Sequence, residues 1–289
     1  MKIIAVYHNK GGVGKTTVSV NLAAGLRRKG NNVLLIDLDS QANSTFATGL
    51  VKFQFEEEDT LRDNNIFHVL KSSDYDFIKD VARRSHLFNT PEIDVIPAHI
   101  TLTEREIELS KIQTSRLRLL RKLELEPSRY DFVIIDTPPA RDLYAEISMI
   151  TSDYLIIPSD LKPFANQGLT TVGNFIKDMN NYRKEILNKV PIKVLGVLPS
   201  RITTNQKSFL STFSKSRQTV IDHYSFPVME TIIYDRIALS RCLNQTLPVG
   251  DLEIPAPKSI FEYADQTSLA EPSAGEFEHL CAEILNKME

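Results

Sequence analysis

The chain has 289 residues, of which 42% are hydrophobic and 25% are charged, which is the composition of a globular protein with room for one large α/β domain or two small ones. Its formal net charge of −3 excludes a protein that binds nucleic acid through its overall charge. Any contact with nucleic acid must therefore come from a local basic patch.

The first 40 residues have the pattern of a parallel βαβ unit. Residues 2–7 (KIIAVY) are a short apolar, β-prone run, and a glycine-rich loop follows them. Residues 18–26 carry apolar side chains at helical spacing, and Gly30 marks the end of this helix. Residues 32–39 (NVLLIDLD) form a second buried strand with acidic residues at its carboxyl end. This order predicts the opening of a parallel sheet.

The remaining sequence alternates between apolar strands and helices. Short helices are predicted at 44–48 and near 66–70, a longer one at 103–125, and a closing one at 274–288, with further helices starting near Phe164, Asn205 and Arg236. Strands are predicted at 93–97, 131–136, 154–158, 194–199 and 231–233, while the acidic stretch 53–65 is expected to be exposed. We therefore predict one α/β domain, residues 1–289, with a doubly wound, mostly parallel sheet flanked by helices.

The loop at residues 8–17 (HNKGGVGKTT) has the chemistry of a phosphate-binding loop. Its glycines allow backbone amides to turn inward around phosphate oxygens, and the helix that follows adds its positive N-terminal end. Lys15 is placed to reach the β- and γ-phosphates, the Thr16 hydroxyl to bind Mg²⁺, and Thr17 to hold the α-phosphate. The phosphate-binding residues are therefore predicted to be Gly11, Gly12, Val13, Gly14, Lys15, Thr16 and Thr17.

One departure from the usual loop pattern identifies a family. Asn9 stands where the first glycine is expected, and Lys10 follows it. Residues 10–17 (KGGVGKTT) resemble the deviant Walker A loop of the ParA/MinD ATPases, which are P-loop NTPases that use ATP and Mg²⁺. The resemblance implies that Lys10 is the signature lysine, which crosses into the partner subunit of an ATP-sandwich homodimer and touches its phosphates. Alternatively, Lys10 is a solvated loop residue.

Two further stretches resemble motifs of the same family. Residues 34–43 (LLIDLDSQAN) are similar to its DxDPQ motif, with Ser40 in place of the usual proline. By this match Asp39 positions or activates the attacking water, and Asp37 supports the Mg²⁺ shell; in an alternative interpretation both acids only cap a helix. Residues 130–139 (YDFVIIDTPP) resemble the Walker B motif, which gives Asp136 a water-mediated role toward Mg²⁺.

The resemblance runs from residue 1 to about 249 and is poor over residues 52–90. It implies that residues 231–249, together with the strand end near Pro199, flank the adenine. Tyr234 stands where a proline is common, so the adenine contact is assigned to the region and not to one residue.

Several branches of the family are separated by particular residues. Cys242 and Cys281 both stand late in the chain, which disfavours the nitrogenase iron protein branch, and they are expected to be buried in a reduced, cytoplasmic protein. A MinD-like regulator at a membrane surface is the alternative. The tail from Lys258 onward has seven acidic residues against two lysines, so its apolar residues are expected to pack on the domain and not to bind a membrane.

A local excess of basic residues favours the ParA-like branch. ParA-like proteins bind DNA non-specifically as ATP-bound dimers, through basic residues of the C-terminal third. The candidates here are Arg201, Lys207, Lys215, Arg217, Arg236 and Arg241. Alternatively, these six form an ordinary solvated face. The resemblance predicts an ATPase, associated with the nucleoid when ATP is bound, that positions a plasmid, a chromosome origin or a protein organelle and is stimulated by a ParB-like or organelle adaptor.

Overall fold

The computed structural model describes residues 1–51, 59–203, 209–250 and 252–289. Residues 52–58 of the acidic stretch, the predicted helix start at Asn205 and the predicted DNA-binding Lys207 lie outside these ranges.

An eight-stranded sheet forms the centre of the protein. Its strands are β1 (Lys2–Val6), β2 (Val33–Asp37), β3 (Arg83–Arg84), β4 (Asp94–Ile96), β5 (Phe132–Asp136), β6 (Tyr154–Ser159), β7 (Lys193–Ile202) and β8 (Ile233–Tyr234). Their order across the sheet is β3-β4-β2-β5-β1-β6-β7-β8, and only the pairing of β3 with β4 is antiparallel among these neighbours. The register pairs Asp37 with Asp136, so the two predicted acids end adjacent strands at the same edge.

Helices cover both faces of this sheet. They are α1 (Lys15–Arg28), α2 (Asn43–Ala47), α3 (Ile66–Lys71), α4 (Ile78–Val81), α5 (Leu102–Ser110), α6 (Ser115–Glu124), α7 (Leu143–Thr151), α8 (Pro163–Leu187), α9 (Phe209–Tyr224), α10 (Ile237–Leu243), α11 (Ile260–Ala264) and α12 (Glu271–Lys287). Consecutive residues of β5 point to opposite layers: Ile134 packs with α1 and α12, whereas Val133 and Ile135 pack with α3, α6 and α7. The predicted doubly wound α/β fold is confirmed.

The long helix predicted at 103–125 is wrong as a single element. The chain forms α5 and α6, and a turn separates them in which the Ile112 amide donates to the Leu109 carbonyl and the Ser115 amide to the Ile112 carbonyl. Leu109 and Leu119 both pack in the same apolar cluster. In one straight helix these two residues would lie on different faces, so the turn between α5 and α6 is what brings them together.

Two other predicted segments also differ in the structure. The strand predicted at 231–233 lies at Ile233–Tyr234, because the Thr231 amide and hydroxyl donate instead to the Glu283 carboxylate, at 2.9 and 2.7 Å. The prediction that 53–65 is exposed holds only in part within the described residues: Thr60, Arg62 and Asp63 are exposed, whereas Leu61 is 2% exposed and Asn65 is 1% exposed.

The closing helix, α12, begins at Glu271 rather than at residue 274. Its apolar side chains Phe277, Leu280, Cys281 and Ile284 are fully buried in the cluster that includes α1, as predicted from the sequence. No helix in the described ranges is both long enough and apolar enough to cross a membrane. A hairpin that the sequence did not reveal, β9 (Thr246–Val249) with β10 (Leu252–Pro255), precedes α11.

Candidate nucleotide-binding site

The glycine-rich loop connects β1 to α1 at the carboxyl edge of the sheet. Gly12 and Gly14 have φ angles of +74° and +93°, in the left-handed region that glycine adopts without strain. Gly14 is the N-cap of α1, and it has no side chain to fill the space at the helix N-terminus. The loop therefore presents backbone amides and the positive end of α1 to one side, as an anion site requires.

A cleft of about 640 Å³ opens beside this loop. Its walls come from the loop, from the segment after β2, from the ends of β7 and β8, and from α10. Of the predicted phosphate-binding residues, those that line it are Gly11, Gly12, Gly14, Lys15, Thr16 and Thr17. Val13 does not line the cleft: it is 1% exposed, and its carbonyl accepts a hydrogen bond from the Ser200 hydroxyl at 2.6 Å.

Asp136 collects hydroxyl donors below the loop. Its carboxylate accepts from Thr16 Oγ1 at 2.8 Å, from Ser19 Oγ at 3.0 Å and from Ser44 Oγ at 2.7 Å. Burial raises the pKa of Asp136 despite these donors. The sequence pointed to Thr16 and Asp136 but gave no reason to choose Ser19 or Ser44.

Asp37 lies next to Asp136 and is fully buried. Burial, and then the nearby Asp136 carboxylate, raise the pKa of Asp37 to about 8. Its Oδ2 accepts from the Thr45 amide and hydroxyl, both at 2.8 Å. Two carboxylates and the Thr16 hydroxyl are hard oxygen donors, which suit Mg²⁺, and a divalent cation there relieves the repulsion between the acids.

Asp39 also lines the cleft and is 7% exposed. Its Oδ1 accepts from the Gln41 amide at 2.9 Å, and its own amide donates to Asp37 Oδ1 at 3.1 Å. The N-cap of α2 is Ala42, so neither acid is the capping residue, although Asp37 does accept from Thr45 in the first turn. The helix-capping alternative therefore applies in part to Asp37 and not to Asp39.

Lys15 is only 8% exposed, and its Nζ donates to the Lys10 carbonyl at 3.1 Å. Burial lowers the pKa of this ammonium, while Asp136 and Asp39 oppose the effect. The loop thus holds a cation close to where the amides point, ready to meet a phosphate.

Lys10 lies outside the cleft of its own subunit. Its Nζ is 3.2 Å from Asp160 Oδ2, just after β6, and 5.1 Å from the centre of the Phe164 ring in the first turn of α8. Phe164 is 70% exposed, so Lys10 is held at the rim of the protein surface. Neither Asp160 nor Phe164 was predicted from the sequence to contact Lys10.

His8 is a buried residue of the loop that the sequence reasoning passed over. Its Nδ1 accepts from the Lys10 amide at 3.0 Å, and the side chain is fully buried. Gly168 of α8 makes room for it: a Cβ there would lie 2.6 Å from Asn9 Oδ1 and 2.9 Å from His8 Cε1. Burial, and then the Lys15 charge, lower the pKa of His8 to about 4.

His8 is expected to make the protein less stable in mild acid. Between pH 6.5 and about 4, His8 is protonated in the unfolded chain and neutral in the folded protein. The free energy of unfolding therefore falls as the pH falls through this range. We expect His8 to account for about 3 kcal/mol of this loss. His8→Asn, which keeps an acceptor for Lys10, should lack that component in urea titrations across this range. His279→Asn, at an exposed position of α12, should follow the wild-type profile; identical profiles for all three proteins would contradict the assignment.

Matches with known proteins decide the family. A model of the AAA_31 family, described as an AAA domain, matches residues 1–190. The sporulation initiation inhibitor protein Soj of Bacillus subtilis is 32% identical over 248 residues, which are 86% of this chain and 90% of Soj. The chain belongs to the ParA/MinD-like P-loop ATPases. The chromosome partitioning protein ParA of Caulobacter vibrioides is also similar, at 34% identity over 172 residues, which are 59% of this chain and 60% of that protein.

A solved structure supports the interpretation of the cleft. Cobyrinic acid a,c-diamide synthase from Mycobacterium smegmatis, solved with ADP and magnesium, has a TM-score of 0.66 and 25% identity, and the match covers 84% of this chain and 92% of that one. The oxygen donors around Thr16 and Asp136 in this protein fit a magnesium ion, and the loop amides with Lys15 fit a polyphosphate.

Part of the lining of the cleft is apolar. Ile233, Leu239 and Leu243 supply apolar walls of the kind that suit a nucleotide base, and Asn244, which follows α10, also lines the cleft. These residues belong to the stretch 231–249 that the resemblance assigned to the adenine. Arg201 also lines the cleft, and its Nη1 donates to the Gly12 carbonyl at 2.7 Å, so this predicted DNA contact braces the phosphate loop.

The other described candidates for DNA contacts fall into two groups: some form ion pairs with carboxylates, and the others are exposed. Arg217 forms an ion pair with Glu230, and Arg236 forms one with Glu276 at 2.9 Å. Lys215 on α9 and Arg241 on α10 are exposed. The number of basic residues along the sequence does not distinguish these two groups.

Proposed function

We propose that this ParA-like protein hydrolyses ATP within a homodimer, binds DNA non-specifically in its ATP form and positions a cargo with the help of a stimulating adaptor protein. The observation that carries the proposal is the position of Lys10, which lies at the rim and outside its own cleft while the rest of the loop lines that cleft. A cation placed there serves phosphates that belong to a second subunit.

Each residue has a separate task in this proposal. The loop amides and Lys15 bind and orient the phosphates, and Thr16 with Asp136 holds Mg²⁺, which supplies charge neutralisation when bound. Asp39 orients the attacking water. Lys10 of the second subunit stabilises the charge that develops in the transition state, as an arginine finger does.

DNA binding is proposed through exposed bases of the C-terminal third. Lys215 and Arg241 are the best placed of the described candidates, because they are exposed and Arg217 and Arg236 already have carboxylate partners. The protein would then be cytoplasmic and associate with the nucleoid as the ATP-bound dimer. We expect a DNA duplex to bind with Mg²⁺–ATP at low salt, weakly with ADP, and with an affinity that falls steeply as salt rises. Gel shifts that show no ATP-dependent binding at low salt would refute this part.

Lys10→Ala should abolish the ATP-dependent dimer and leave ATP binding to the monomer within about threefold, because Lys10 lies outside its own cleft. Turnover should fall by at least about 100-fold. Light scattering after gel filtration with Mg²⁺–ATP measures the dimer, and calorimetry measures ATP binding.

Lys162→Ala is the matched control for this experiment. Lys162 also lies near Asp160, at 3.9 Å, but it is 67% exposed and outside the loop. We expect it to dimerise like the wild type. A Lys10→Ala protein that still dimerises with ATP would contradict the role proposed for Lys10.

The likeness to cobyrinic acid a,c-diamide synthase motivates a second candidate, an enzyme that uses ATP to activate a small carboxylic acid. In that case Lys10 is dispensable for dimer formation. The same Lys10→Ala protein separates the two functions, since metabolite-dependent ATP turnover without loss of the dimer favours the enzyme.

A further inference from the structure

A buried hydroxyl connects the magnesium-side acids to a surface loop. Thr45 of α2 donates its hydroxyl proton to Asp37 Oδ2 at 2.8 Å. The same hydroxyl oxygen accepts from the Ala98 amide, also at 2.8 Å. Ala98 lies just after β4, and the strands β2 and β5 separate β4 from β1, which precedes the phosphate loop.

Each member of this chain of hydrogen bonds is sealed from water. Asp37, Thr45 and Ala98 are all fully buried. Water therefore cannot replace the hydroxyl, and its removal leaves the Ala98 amide without a partner and Asp37 with one donor fewer. Because hydrogen bonds in a chain polarise one another, a change at Asp37 alters the bond that holds Ala98.

The loop that begins at Ala98 leads directly to the surface. His99 contacts Asp59 Oδ2 through Nε2 at 2.7 Å and Thr101 Oγ1 through Nδ1 at 2.8 Å. Ile100 between them is 68% exposed. The four residues 98–101 thus join a buried anchor to an exposed apolar side chain at the start of α5.

We propose that Thr45 is a positioning residue that holds Asp37 and couples it to residues 98–101, so that this loop responds to the nucleotide cycle. The coupling rests on the proposed binding of Mg²⁺ and nucleotide in the cleft, whereas the positioning of Ala98 does not. By reciprocity, a partner that binds the loop also changes the affinity for Mg²⁺–nucleotide.

The test compares Thr45→Val, which removes only the hydroxyl, with Thr45→Ser, which keeps it. In the nucleotide-free protein we expect the Ala98 amide to exchange at least about tenfold faster in Thr45→Val and at the wild-type rate in Thr45→Ser. Amides of β5 should remain protected, which shows that the variant is folded. Thr48→Val is the matched control, because the buried Thr48 hydroxyl donates only within α2, to Ser44 and Thr45 carbonyls.

The second measurement addresses coupling. On adding Mg²⁺ and a non-hydrolysable ATP analogue, exchange at residues 98–101 should change in the wild type and in Thr45→Ser, and not in Thr45→Val. The Mg²⁺ concentration for half-maximal turnover should rise about tenfold in Thr45→Val, with a smaller change in KM for ATP.

Three outcomes would overturn the inference: wild-type exchange at Ala98 in Thr45→Val, failure of Thr45→Ser to restore it, or a nucleotide-bound wild type whose loop exchange is unchanged. If the wild type binds no nucleotide at all, the proposed function fails instead, and the nucleotide-free exchange rates still decide the role of Thr45.

Discussion

Replacing Lys15 with methionine is expected to abolish stabilisation by Mg²⁺–ATP while leaving the nucleotide-free protein at least as stable as the wild type. Lys15 is 8% exposed, and burial lowers the pKa of its ammonium. Folding therefore has to desolvate this charge, and its Nζ donates to the Lys10 carbonyl. Methionine has a similar length and carries no charge, so the nucleotide-free variant avoids the cost of burying an ammonium. The phosphates lose a charge-assisted donor at the same time.

Urea titrations with and without Mg²⁺–ATP measure both halves of this expectation. At an ATP concentration 100 times its dissociation constant, the wild type should gain about 2.7 kcal/mol in the free energy of unfolding. Lys15→Met should gain almost none of it. Lys29→Met, at the exposed end of α1 away from the cleft, should gain as much as the wild type. An equal gain in Lys15→Met, or a collapse of its nucleotide-free stability, would show that Lys15 has a structural and not a binding role.

Most of the geometry of the candidate phosphate site was predictable because its residues directly follow apolar strands. Asp37 and Asp136 each end a strand of five buried residues, and parallel strands bring their carboxyl ends to one edge. The loop residues are contiguous, so their local spacing was enough to predict that Lys15 and Thr16 face one ligand. These parts of the site depend on neighbours in sequence and on the fold class alone.

The parts that could not be predicted depend on contacts between distant segments. Lys10 meets Asp160, which is 150 residues away, and Ser200 meets the Val13 carbonyl across 187 residues. No periodicity in the sequence encodes such pairs. The strands β3 and β8 contain only two residues each, which is too short for an alternating pattern.

The basic residues of the C-terminal third show the same limit. Counting charges along the chain treated Arg201, Arg217 and Arg236 as equal candidates for DNA. In the structure Arg201 donates to the Gly12 carbonyl of the phosphate loop. Arg217 forms an ion pair with Glu230, and Arg236 forms one with Glu276. Because a neighbouring carboxylate offsets the charge of an arginine, the fold and not the count decides which bases are best placed to meet a phosphate backbone.

The largest loss of stability is expected for Arg183→Met. Arg183 lies on α8, is fully buried, and its guanidinium donates to the carbonyls of Ile150 and Ser152 at 2.7 and 2.5 Å. It also donates to the Val190 carbonyl at 3.0 Å. These carbonyls belong to the end of α7 and to the loop after α8. The last carbonyls of a helix have no amide partner within the helix, so the guanidinium supplies their donors.

Removing the guanidinium leaves several buried carbonyls without donors, which should lower the free energy of unfolding by about 3–5 kcal/mol. Arg183→Lys should lose about half as much, since an ammonium keeps the charge and reaches fewer carbonyls. Urea unfolding followed by circular dichroism measures the three proteins. Arg141→Met is the control: Arg141 is 44% exposed, pairs with Asp178, and should cost less than about 1 kcal/mol. A free energy of unfolding of Arg183→Met within about 1 kcal/mol of the wild type would contradict this role. Water would then have to replace the guanidinium at the junction of α7 and α8, and Arg183 would contribute to stability through packing and not through its hydrogen bonds.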